Sequence, residues 1–135
     1  MSRCNLIPSS RTRFRLFVLG AGLLAPLAGA QDEAQLKLGK KRFLNCNGCH
    51  SVSVDAAPLL GPHLEGIVGR KAATVEGFEY TPALRALDIV WSEEELDRFL
   101  QAPQALVPEL CMPFGGMRKP EDRQALIAWL KQPQP

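Results

Sequence analysis

Two long stretches of this chain resist regular structure. Residues 51–80 contain Pro58, Gly61, Pro62, Gly66, Gly69 and Gly77, and residues 103–119 contain Pro103, Pro108, Pro113, Gly115 and Gly116. Proline removes a backbone donor and glycine loses the most freedom on ordering, so neither stretch supports a continuous helix or strand. Loops of this length are uncommon in a compact domain unless they wrap something functional.

Helical patterning survives only outside them. Residues 33–45 put Leu36, Gly39 and Phe43 on one face, with Lys37, Lys40 and Lys41 mostly on the others. Ser92 starts a second helix with Glu95 at capping-box spacing, and Leu96, Phe99 and Leu100 form its apolar stripe until Pro103. Pro120 opens the last helix, with Glu121 and Asp122 at its positive end, Leu126, Trp129 and Leu130 on one face, and Pro133 as its stop. A short helical turn is expected from Thr81-Pro82. The fold class is therefore all-α, with three to four helices and no convincing strand. Such short helices make a thin core, which again points to a bound group filling the middle.

The N-terminus has a different character. Arg3, Arg11, Arg13 and Arg15 precede an uncharged stretch, residues 16–30, that closes on Ala28-Gly29-Ala30. A basic start, an apolar middle and an A-x-A end describe a cleaved secretory signal. The apolar stretch, broken by Pro26, falls short of the roughly 20 residues a membrane span needs. The expected organisation is a leader over residues 1–30 and one domain over residues 31–135, in the periplasm and with no membrane span after cleavage. The whole chain has a formal net charge of +2; without residues 1–30 it keeps 12 of 16 basic residues and all 14 acids, a net charge of −2. Neither value suits a nucleic-acid binder.

Of Cys4, Cys46, Cys49 and Cys111, the first leaves with the leader. Three remaining cysteines cannot all pair within one chain, which argues against a disulfide framework. Cys46-Asn47-Gly48-Cys49-His50 explains two of them. Cysteines three apart on one helical turn can each add to a vinyl group of a haem, and the adjacent histidine then lies under the iron. A thioredoxin-like pair would need a preceding strand, whereas an amphipathic helix precedes this motif. A structural zinc site would need ligands beyond His63 and Cys111, which stand at odd spacing. The far side of the iron is offered Met112, Met117, His63 and Cys111. Met112 sits in a loop between Pro108 and Pro113, Met117 could instead pack against the haem edge or the last helix, and His63 is expected on the histidine's own side.

These segments together resemble the class I cytochromes c of the mitochondrial and bacterial cytochrome c2 type. The resemblance runs through Cys46–His50, Gly61-Pro62-His63-Leu64, Gly69-Arg70-Lys71, Gly77-Phe78-Glu79-Tyr80-Thr81, Trp91, Pro103, Pro108, Met112, Phe114-Gly115-Gly116 and residues 126–131. It implies a class I cytochrome c fold wrapped around one haem c, held through Cys46 and Cys49, with His50 and Met112 as axial ligands. It further implies that the Pro62 carbonyl accepts a hydrogen bond from His50, that Arg70, Tyr80 and Trp91 surround a haem propionate, and that Phe114 covers the haem edge. Gly39 and Phe43 would pack against Leu126 and Trp129.

The chain departs from that pattern in places. Phe99 stands where mitochondrial relatives have a tyrosine, and Asn45, Leu59, Gln104 and Ala105 stand where they have lysines. Cys111 beside Met112 is unusual, its plainest reading being a small buried thiol. The resemblance implies an electron carrier with no catalytic residue, meeting its redox protein partners transiently. It would shuttle between a respiratory or dehydrogenase donor and a terminal acceptor, as a monomer or as a disulfide dimer through Cys111. The alternatives are a haem subunit of a periplasmic dehydrogenase, a haem enzyme acting on sulfur compounds through Cys111, or a gas-binding or peroxidatic cytochrome.

Overall fold

Gly39 sets the architecture. In the computed structural model, which describes residues 27–132, a methyl at Gly39 would lie 2.1 Å from the Ala125 carbonyl oxygen and 2.5 Å from Trp129 Cβ. Only a residue without a side chain lets helix α1 (Leu27–Phe43) approach α5 (Pro120–Leu130) this closely. One turn further along α1, Phe43 meets Trp129 at a ring-centroid distance of 4.9 Å, and Arg42 Nε lies 2.8 Å from Asp122 Oδ1. Phe43, Leu126 and Trp129 are all buried, as the resemblance implied.

Three shorter helices complete the set. Helix α2 (Pro82–Arg85) is capped by the Thr81 hydroxyl, which accepts from the Leu84 N–H at 3.3 Å. Helix α3 (Glu93–Gln101) is capped by the Ser92 hydroxyl, which accepts from the Glu95 N–H at 3.1 Å, and buries Leu96 and Leu100. Helix α4 (Pro103–Leu106) has Pro103 at its first position and buries it. No strand forms among the described residues; Lys71 and Val90 make an isolated antiparallel bridge. The fold is all-α.

Three boundaries differ from expectation. Helix α1 begins at Leu27, ahead of residue 33, and ends at Phe43 rather than 45. The expected leader, residues 1–30, lies outside the described residues except for its last four, which form the first turn of α1. Pro103 does stop α3, but it also starts α4. Proline cannot continue a helix, yet its fixed φ suits a first turn, so one residue serves both purposes.

Arg123 ties the helices together from the inside. Its side chain is 7% exposed. Its Nε and Nη2 donate to Asp97 Oδ1 and Oδ2 at 2.8 and 3.1 Å, and its Nη1 donates to the carbonyls of Met117 and Arg118. A buried guanidinium with this many acceptors is satisfied, and the planar fork on a carboxylate is its strongest geometry. Helices α3 and α5 and the end of the second long loop are thereby joined at one point.

Candidate haem site

The pentapeptide lies just past the end of α1, as one further helical turn. The Cys46 carbonyl accepts from the N–H groups of Cys49 at 3.0 Å and His50 at 2.9 Å, while Phe43 O accepts from Cys46 and Asn47. The α1–α5 crossing therefore fixes where the two thiols start. Both are free. Burial pushes the Cys46 thiol up in pKa, with the neighbouring Cys49 adding to the effect.

The chain then doubles back. Gly61 N–H donates to the Cys49 carbonyl at 2.7 Å, and Leu64 N–H to the Ser51 carbonyl at 2.8 Å. This return lays Gly61 and Pro62 against the His50 ring. A methyl on Gly61 would stand 2.3 Å from His50 Cε1, so the ring is packed directly on the backbone. His50 Nδ1 lies 2.7 Å from the Pro62 carbonyl oxygen. A carbonyl only accepts, so Nδ1 carries the proton and the Nε2 lone pair is left for a metal.

A second group of residues gathers on the loop between residues 63 and 91. Gly69 N–H donates to the Trp91 carbonyl, Trp91 N–H to the Arg70 carbonyl, and Ala72 N–H to the Ile89 carbonyl. Arg70 Nη1 and Nη2 donate to the carbonyls of Glu65 and His63, both at 2.8 Å. Burial lowers the pKa of the Arg70 guanidinium and nearby Tyr80 opposes that shift, so the group is short of water. The Tyr80 hydroxyl accepts from the Val75 N–H at 3.3 Å, which leaves its own proton to give. Among the described residues His63 Nδ1 is buried without a hydrogen-bond partner. Partly desolvated donors with unspent capacity suit an anionic group.

The segment carrying Met112 is held from elsewhere. Its far end is fixed where Met117 N–H donates to the Leu100 carbonyl at 2.7 Å. Met117 and Phe114 are half-buried against the core, so Met117 packs as its plainer reading held. Met112 is itself half-buried, whereas Cys111 is exposed and not the buried thiol expected, because its place in the loop beside the left-handed turn at Glu109 does not bring it against the core. Between Pro108 and Met112 the backbone turns through Glu109, whose φ of 64° is left-handed, a conformation costing a side-chain-bearing residue about 1 kcal/mol or more. No hydrogen bond among the described residues links this segment to Cys46–Pro62.

The residues present fit a haem. Val52, Leu64, Leu84, Phe99 and Phe114, from both long loops and from α2 and α3, are partly buried and pack against the core. An apolar lining of this sort, two free thiols, a histidine with Nε2 available and spare donors near Arg70 form the donor set a covalent haem requires. Sequence reasoning missed Arg123, Asp97 and the hydrogen bonds made by Gln104. Arg123 and Asp97 are 26 positions apart with no motif around either, and the sequence marks Gln104 only as standing where relatives have a lysine, which says nothing of its hydrogen bonds.

A helical shell with an attachment turn at the end of its first helix defines a c-type haem protein. No protein-family model matches the chain. It is 40% identical over 119 residues to cytochrome c2 of Blastochloris viridis, covering 88% of this chain and 90% of that protein. It is 39% identical over 105 residues to cytochrome c of Gibberella zeae, covering 78% and 96%, and 36% identical over 97 residues to cytochrome c-550 of Nitrobacter winogradskyi, covering 72% and 89%. The chain belongs to the class I cytochromes c, the family of cytochrome c and cytochrome c2. It is an electron-transfer protein rather than an enzyme, carries covalently attached haem c, and meets its redox partners transiently. No helix among the described residues is long and apolar enough to cross a membrane.

Proposed function

We propose that the protein is a periplasmic shuttle for single electrons. Its leader, residues 1–30, is removed on export. Cys46 and Cys49 hold the haem through thioethers, and His50 and Met112 are the two axial ligands. The haem supplies the ferric/ferrous couple, and every other part of the site serves to hold it. The observation that carries this reading is the 2.7 Å contact between His50 Nδ1 and the Pro62 carbonyl. It orients the ring and selects the tautomer that leaves the Nε2 lone pair free. Arg70, Tyr80 and Trp91 supply donors for a propionate.

Two firm axial ligands leave no position for a substrate, and a methionine raises the potential relative to harder ligands. The donor is a respiratory complex or a dehydrogenase and the acceptor a terminal reductase or oxidase. With a net charge of −2 over residues 31–135, long-range steering contributes little to these encounters. The free protein is a monomer.

The visible spectrum tests the ligand set. The ferric protein should show the weak sulfur-to-iron charge-transfer band at the red end. Met112→Ala should abolish it and open the iron to imidazole or cyanide while the haem stays attached. Loss of the band in Met117→Ala but not in Met112→Ala would overturn the assignment. Cys111→Ser should leave the spectrum unchanged, and a shifted Soret band would instead bring the thiol to the iron.

A further inference from the structure

Gln104 stands outside the attachment turn and outside the donor group around Arg70. Its side chain reaches from α4 to the Met112 segment. Nε2 donates to the Leu110 carbonyl at 3.2 Å and to the Met112 carbonyl at 2.9 Å. A side-chain amide has two N–H bonds on one nitrogen, and here each has an acceptor. The two carbonyls flank Cys111, whose side chain is exposed.

No other group outside residues 108–114 hydrogen-bonds to that segment among the described residues; the one further bond, Phe114 N–H to Met112 O at 2.8 Å, lies within it. The left-handed turn at Glu109 pushes against the closed arrangement, so something must hold it. Gln104 is well placed to do so. It sits in the first turn of α4, next to Pro103, which is among the most deeply buried side chains of the protein.

We infer that Gln104 is a positioning residue that clamps the Met112 segment closed and so sets how readily methionine yields its place on the iron. This rests on Met112 being the second axial ligand. The clamp acts on the backbone of that ligand, and its strength adds to that of the iron–sulfur bond. An external ligand such as imidazole must open it before it can bind.

The test uses the haem-loaded protein and two variants. Gln104→Ala removes the donors. Gln104→Glu keeps length and shape but turns a carboxylate oxygen toward two carbonyl oxygens. Two neutral hydrogen bonds at an exposed site correspond to roughly a tenfold shift in a local opening equilibrium, the low end of what such bonds contribute. Both variants should therefore bind imidazole about tenfold more tightly in the ferric state, with Glu at least as affected as Ala. Amide hydrogen exchange at Phe114, whose N–H donates to the Met112 carbonyl, should quicken by a similar factor, and the global denaturation midpoint should stay within error of the parent.

Unchanged exchange at Phe114 overturns the clamp. So does unchanged imidazole affinity in a parent that shows the charge-transfer band, or a change matched by an equal fall in global stability. If the parent lacks the band, it is Met112 ligation that fails, and the exchange measurement still decides whether Gln104 holds the loop.

Discussion

Gly61 lies against the Nδ1–Cε1–Nε2 edge of the His50 ring: a methyl added there would lie 2.3 Å from Cε1, 2.6 Å from Nδ1 and 2.8 Å from Nε2. The ring cannot retreat without leaving the Pro62 carbonyl, 2.7 Å from its Nδ1. Gly61→Ala should therefore displace the ring rather than be absorbed by a flexible neighbour. We expect a loss of about 2 kcal/mol in stability and a high-spin component in the ferric spectrum. Electron paramagnetic resonance would check it; an unchanged low-spin signal would show that the backbone yields instead.

Gly39 poses the same question between helices. Its missing side chain faces the Ala125 carbonyl and Trp129 Cβ, both parts of α5 that cannot rotate away. Gly39→Ala should cost about 2–3 kcal/mol, the upper end of the usual overpacking penalty. Leu126→Ala, at a residue 1% exposed in the same layer, should cost about 3 kcal/mol through the cavity it leaves. Denaturant midpoints of the haem-loaded protein measure both, and near-parent values would mean α1 and α5 are less tightly joined than the geometry indicates.

The pair Arg123–Asp97 makes a third prediction. Asp97→Ala strands a guanidinium whose side chain is 7% exposed, although Asp97 itself remains 32% exposed. Partial solvation of the carboxylate places the expected cost near 2 kcal/mol, below the range for fully buried pairs. Because Arg123 also holds the carbonyls of Met117 and Arg118, the variant should loosen the loop end as well as the helices. Thermal unfolding combined with hydrogen exchange at residues 117–119 would separate the two effects.

The proposed leader gives a fourth. Mass spectrometry of the protein recovered from an exporting host should give a chain that starts at Gln31 and carries one covalent haem. An intact N-terminus on a haem-bearing product would rule the leader out.

Much of this was legible in the sequence where the physics is local. Ser92, Thr81 and Pro120 announce helix starts by hydrogen-bonding capacity or fixed φ, and each does its expected work in the structure. The attachment turn was legible because two thiols and an imidazole need a set spacing. Helix α4 was not, since Pro103 looks the same to a reader whether it ends one helix or begins another. Nor were Arg123–Asp97 and the Gln104 clamp, whose partners are brought near by tertiary folding alone. The leader's apolar composition likewise gave no hint that α1 would extend back to Leu27.

The crossing at Gly39 also dictates timing. The helix that carries the attachment turn finds its partner only in α5, close to ninety positions further along the chain. Contacts so distant in sequence are slow to form and cannot begin until both segments are present. During synthesis, then, the ribosome releases α1, both thiols and His50 long before Ala125 and Trp129 exist to receive them. A newly made chain stays unfolded almost to its end. On the proposed export route, the chain would cross a membrane before its haem is attached, and that delay would keep it in a form that can pass.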